Sequence, residues 1–301
     1  MPTLVPDPKM LQFSSDSKLR LGDEVWGLAR GYADQVNARR FFTELRQRRV
    51  TRDQYIRLLC TLYPLVVGFN RALIRSMAKV DHVRQPMLVR ALAEQLLEEQ
   101  LHNEMWRRKL EVFGVDHDAI YGTLAGYLAE FTAEDLDRMT GNMVAVLGED
   151  LSAFTPGVFP EAPFPEPVLA LYHHLWTGAV YGDVDYWEQF ASQSSIEVII
   201  YDVVSNSVYP GVSGNPQLDL GPVTVQWWKE HARQGSTTPG HRTDEEKHLE
   251  LAMITLNRTQ ITKPLARRVR SRAEDTMRLF AAALFWQDRN DEFPIDPYMR
   301  D

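Results

Sequence analysis

Apolar residues recur along this chain at the three- and four-residue steps of a helix. Tyr55, Leu58, Leu59, Leu62, Tyr63, Val66, Val67, Phe69, Leu73 and Ile74 form a nearly continuous pattern over 53–80, too long for a strand. Pro86 opens a second pattern that runs to about Phe113, where Gly114 supplies a stop. A third spans 132–151, with Thr132 as N-cap and Glu134 and Asp135 in its first turn. Pro156, Pro160, Pro163, Pro165 and Pro167 predict an irregular connection over 154–167. Helix resumes over about 168–181 and again over 185–208, where Pro210-Gly211 stops it. A loop follows over 211–222, then a short helix over 223–232 and a break over 235–240. Thr243 and Glu246 form a capping box for a helix ending near Leu256, and the last helix covers about 264–286. No alternating run is flanked by hairpin turn residues. The expectation is an all-α, single-domain bundle of seven to nine helices over residues 21–290. Residues 1–20 read as an N-terminal extension and 291–301 as a C-terminal tail.

Composition narrows the class. With 44% hydrophobic and 25% charged residues in 301, the chain can bury a sizeable core without staples. The single cysteine, Cys60, excludes an intrachain disulfide and reads as a small core hydrophobe among Leu58, Leu59 and Leu62. A net charge of −8 argues against a nucleic-acid partner. The cluster of Arg267, Arg268, Arg270 and Arg272 is expected to be a solvated helix face. No basic stretch followed by an apolar run opens the chain, and no window approaches about 18 uninterrupted apolar residues. The expected setting is the cytoplasm, with no membrane partner.

Three places carry chemistry. On the 86–113 helix the apolar stripe is Leu88, Leu92, Trp106, Leu110 and Phe113, and the positions completing it are Gln95, Glu99 and His102. Glu99 and His102 therefore stand on a face that should be buried, one turn apart, where both can reach one metal ion. Glu98 points about 100° away and reads as solvated, with the second claim to the ligand position. Glu197 sits among Ile196, Val198, Ile199 and Ile200, so its carboxylate needs a partner, either a metal or an arginine such as Arg71 or Arg75. In His241-Arg242-Thr243-Asp244-Glu245-Glu246-Lys247-His248, Asp244 and His248 share a helix face and His241 lies one turn earlier. Mixed carboxylate and imidazole donors favour iron, with manganese and zinc as rivals.

The run Leu97-Glu98-Glu99-Gln100-Leu101-His102-Asn103-Glu104-Met105-Trp106, followed by Phe113-Gly114-Val115-Asp116, resembles a ligand helix of the heme-oxygenase-like di-iron oxidases. That superfamily also holds thiaminase II and pyrroloquinoline quinone synthase. Glu197 is similar to the family's lone buried glutamate. Trp227-Trp228-Lys229-Glu230-His231 resembles the aromatic approach to its next histidine, and Asp244 and His248 match its final ligand turn. The resemblance covers roughly residues 41–286 and implies a heme-oxygenase-like helical bundle. It implies an O2-activating, non-heme iron oxidoreductase acting on an amino-acid- or fatty-acid-derived small molecule in specialised metabolism. The implied metal set is Glu99, His102, Glu197, His231 or His241, Asp244 and His248. It would hold two Fe(II), the second more weakly, with an external electron donor and room for a homodimer.

The chain also departs from that pattern. The 53–80 helix has no acid after Asp53, where members place another carboxylate, and the spacing from His231 to Asp244 is long. Heme oxygenase itself needs a histidine near the N-terminus, and the first here is His82; thiaminase II needs a catalytic cysteine. A metal-free oxidase of the quinone-synthase kind, and a helical binding protein without chemistry, are the rival readings.

Overall fold

The computed structural model describes residues 20–129, 163–180, 184–218, 220–232, 244–259 and 261–300. Ten α-helices of seven or more residues fall within them, with no strand beyond one isolated bridge between Val115 and Met299. They are α1 (Leu21–Asn37), α2 (Arg40–Arg46), α3 (Arg52–Met77), α4 (Pro86–Val112), α5 (His117–Ala129), α6 (Glu166–Val180), α7 (Tyr186–Val203), α8 (Pro222–His231), α9 (Asp244–Arg258) and α10 (Lys263–Phe285). The all-helical expectation holds, and α1, α2 and α5 are helices that the apolar pattern did not single out. The 132–151 helix, the irregular 154–162 stretch and the Thr243 cap lie outside the described residues.

Local chemistry sets the ends. Thr51 and Gln54 make a reciprocal capping box at the start of α3, as Asp185 and Glu188 do for α7. Pro86 occupies the first turn of α4, and Gly114 ends it in the left-handed region at φ 82°. One expected stop fails. Beyond α7 the chain continues as a π-turn over Val204–Val208 and an α-turn over Tyr209–Val212, so Pro210-Gly211 lies inside the helical run. Pro210 stands in the first turn of that last piece, where a missing N–H costs least.

The central helix is α7, packed against α1, α6, α9 and α10. All its residues except Trp187 and Ile200 are buried. α3 packs on α6 on one side and on α4 on another, and α8 and α4 close the remaining wall. The apolar side chains so enclosed form one connected cluster, which also takes in Phe293, Ile295 and Tyr298 near the C-terminus. α3 holds an 18-residue window apolar enough to cross a membrane by length and composition, which narrows the expectation drawn from uninterrupted apolar runs. That window is 61% buried, as a core helix requires. The arginine cluster on α10 is not simply a solvated face either. Arg268 pairs with the buried Glu188, and Arg272 donates to the His174 carbonyl at 2.7 Å.

Candidate functional site

Four of the residues singled out in the sequence line one cavity: Glu99 and His102 from α4, Glu197 from α7 and His231 from α8. The apolar stripe of α4 buries Leu88, Leu92, Trp106 and Leu110 and carries Glu99 and His102 inward with it. Their side chains are 13% exposed each, against 26% for Glu98. Asn70 of α3 donates to the Glu99 carbonyl at 3.0 Å and ties the two helices together at this turn.

Hydrogen bonds assign the imidazoles. Glu99 Oε2 lies 3.3 Å from His102 Nδ1; a carboxylate accepts, so Nδ1 carries a proton. Glu230 Oε2 stands 3.9 Å from His102 Nε2. His231 Nδ1 donates to the Trp227 carbonyl at 2.8 Å, which places a ring proton on Nδ1. The two imidazole centroids are 4.3 Å apart, and His231 stacks on Trp227 at 3.7 Å. Burial holds His231 well below the usual imidazole range. The charges of His102, Lys109 and His248 push the same way, and the Trp227 carbonyl opposes them. Burial thus favours the neutral form of His231, which can act there as a base or a metal donor.

Glu197 is 6% exposed and accepts from Gln95 Nε2 at 3.4 Å. The arginines weighed as its partners are engaged elsewhere. Arg71 donates to Tyr172 and Tyr121 at 3.2 and 3.3 Å, and Arg75 lies over the Trp176 ring. Neither lines the cavity. Glu197 also borders a second, smaller cavity with Gln95, Gln193, Ser194 and His248. His248 Nε2 lies 3.0 Å from Glu98 Oε2, so Glu98 is the partner of a histidine and not a free surface acid. His241 lies outside the described residues; Asp244 opens α9, and its side chain is likewise outside the description. Among the described residues, no three His, Cys, Asp or Glu side chains converge in a way that could hold a metal ion.

One residue escaped the sequence reading. Lys109 is fully buried, and its Nζ sits 4.1–4.6 Å from the ring centroids of Trp106, Trp227 and Trp228 with no hydrogen-bond partner. The signal was present, because Lys109 lies three residues after Trp106 on the buried stripe.

No protein-family model matches the chain, and no curated protein matches it. Among solved structures, a TenA homolog from Pseudomonas syringae pv. tomato str. DC3000 superposes with a TM-score of 0.57. The match covers 96% of this chain and 96% of that one, at 14% identity. The likeness shows a TenA-like all-helical fold, the architecture implied by the sequence resemblance.

Proposed function

We propose that the chain is a non-heme iron oxidoreductase that uses O2 to oxidise a small apolar molecule in the cavity of Glu99, His102, Glu197 and His231. The observation that carries this reading is the gathering of two carboxylates and two imidazoles on the wall of an otherwise apolar cavity. Groups of this kind are costly to bury, and pairing or metal coordination is what normally offsets that cost.

In kind these donors suit iron. In position they fit it partly. His102 and His231 are both oriented through Nδ1, to Glu99 and to the Trp227 carbonyl, whereas Glu197 is held by Gln95 and no cluster of three donors converges among the described residues. When bound, the iron would supply the electrons and the binding position for O2. Glu99 would fix the tautomer and direction of His102, as carboxylates behind metal-bound histidines do. Glu197, once released from Gln95, would bring an anionic ligand from the opposite helix. The apolar remainder of the cavity would exclude water from the reacting groups. Asp244 and His248 would form the weaker second site, with His241 or His231. It is weaker because α3 offers no carboxylate after Asp53. The separation of the donors favours one other reading, a metal-free oxidase in which the same histidines bind substrate and O2.

Anaerobic titration of the metal-free protein with Fe(II), followed by iron quantification, separates the two. Two resolvable binding steps, the first tighter, are expected. Absence of binding would end the iron reading and leave the metal-free one, and two equally tight steps would require a further ligand.

A further inference from the structure

Apart from its four ionisable groups, the larger cavity has a lining of one chemical character. Every other described residue facing it is apolar or aromatic, and no lysine, arginine, amide or hydroxyl side chain is among them. The lining is also long. On α3 it runs from Leu58 to Phe69, and on α7 and its π-turn from Ile196 to Val208. Each stretch covers three helical turns, about 16 Å at the helical rise. Phe42, Phe280 and Leu284 add to the apolar wall. The π-turn contributes Val204 and Val208 to the wall, and such widened turns are often kept at functional sites.

We infer that the substrate is a chain-like, largely aliphatic molecule with a single polar head, its head at Glu99, His102, Glu197 and His231 and its tail along α3 and α7. The inference rests on the reading of those four residues as the reacting wall. A zwitterion such as a free amino acid does not fit. Its carboxylate would meet Glu99 and Glu197 with no lysine or arginine among the described lining residues to balance them, and a charge further along would meet only hydrocarbon there. An aliphatic tail, by contrast, gains from every methylene that leaves water.

The test is calorimetric binding of straight-chain primary alcohols, from butanol to tetradecanol, to the full chain with no metal added. A neutral head avoids repulsion by the two carboxylates, so the series can be measured whether or not iron binds. Affinity is expected to rise about fourfold per added methylene, at one molecule per chain, until the extended tail reaches about 16 Å, and then to level off. L-leucine should bind at least about 100-fold more weakly than the best alcohol. Val204→Phe narrows the tail channel and should move the plateau to shorter alcohols. If that variant does not fold, the wild-type series alone decides. Affinity independent of chain length, or L-leucine binding as well as the best alcohol, would overturn the inference. Iron binding with a flat series would remove only the substrate class; a rising series without iron binding would remove only the metal.

Discussion

Lys109 Nζ lies 4.1 Å from the centroid of the Trp228 ring, with Trp227 and Trp106 at 4.5 and 4.6 Å. The other face of this relationship is functional, because Trp227 stacks on His231 of the candidate site. Burial pushes the Lys109 amine well below its ordinary value, and the nearby Glu230 charge only partly opposes this. In the unfolded chain the same amine holds its proton up to about pH 10.4. The unfolded state therefore binds more protons through the window between the two values, and stability rises with pH there. Lys109→Met should remove that slope. Thermal melts are expected to show the variant more stable at pH 7 by a few degrees, roughly a 1 kcal/mol effect, with the gap closing toward pH 10. A variant less stable at pH 7 would show that attraction of the ammonium to the three indole faces outweighs its burial.

His173 on α6 predicts acid sensitivity. Burial pushes its imidazole down to about 4, and the unfolded side chain titrates near 6.5. As pH falls from about 6.5 toward 4, the unfolded state takes up a proton that the folded state refuses, so stability falls across that window. The loss from this group is on the order of 3 kcal/mol. His174, buried beside it, is lowered in the same direction, so His173→Phe should flatten only part of the acid limb in urea titrations at pH 4–7. An unchanged acid limb would show that His173 charges inside the fold.

Glu98 and Glu99 should differ sharply in iron binding. Glu99 holds His102 by Nδ1 in the larger cavity, whereas Glu98 holds His248 from the other side of α4. Glu99→Ala is expected to weaken the first Fe(II) step at least about tenfold, whether the carboxylate ligates the metal or orients the histidine. Glu98→Ala should leave that step intact. The reverse pattern in anaerobic titrations would mean that α4 presents the other acid to the metal.

Two glycines give opposite expectations for stability. A Cβ at Gly211 would stand 2.3 Å from the Leu45 carbonyl oxygen, backbone that cannot swing aside. Gly211→Ala should cost roughly 1–3 kcal/mol, because the turn after α7 must move away from α2. At Gly27, in the middle of α1, a Cβ meets nothing within 4 Å. Gly27→Ala should stabilise by about 0.4–1 kcal/mol through the unfolded chain and helix propensity. Denaturant midpoints for the pair check both signs, and equal effects would contradict the packing described for Gly211.

The sequence by itself determined the helices with long apolar patterns and the faces they bury. Helical periodicity is local, so the stripe from Leu88 to Phe113 was enough to turn Glu99 and His102 inward, and the apolar neighbours of Glu197 were enough to bury it. Partnership was a matter for the tertiary structure. Glu98 and Glu99 are adjacent in the chain, and only the arrival of α9 beside one, and of the α8 end carrying His231 near the other, decides that the first meets His248 and the second shares a cavity with His231. The same holds for Glu197, which found Gln95 of α4 rather than an arginine of α3. It holds for Lys109 as well, whose cage is built by two tryptophans more than a hundred residues away. A spacing rule says which side of a helix a group occupies. Which group waits there depends on contacts between helices distant in sequence, and no local pattern encodes them.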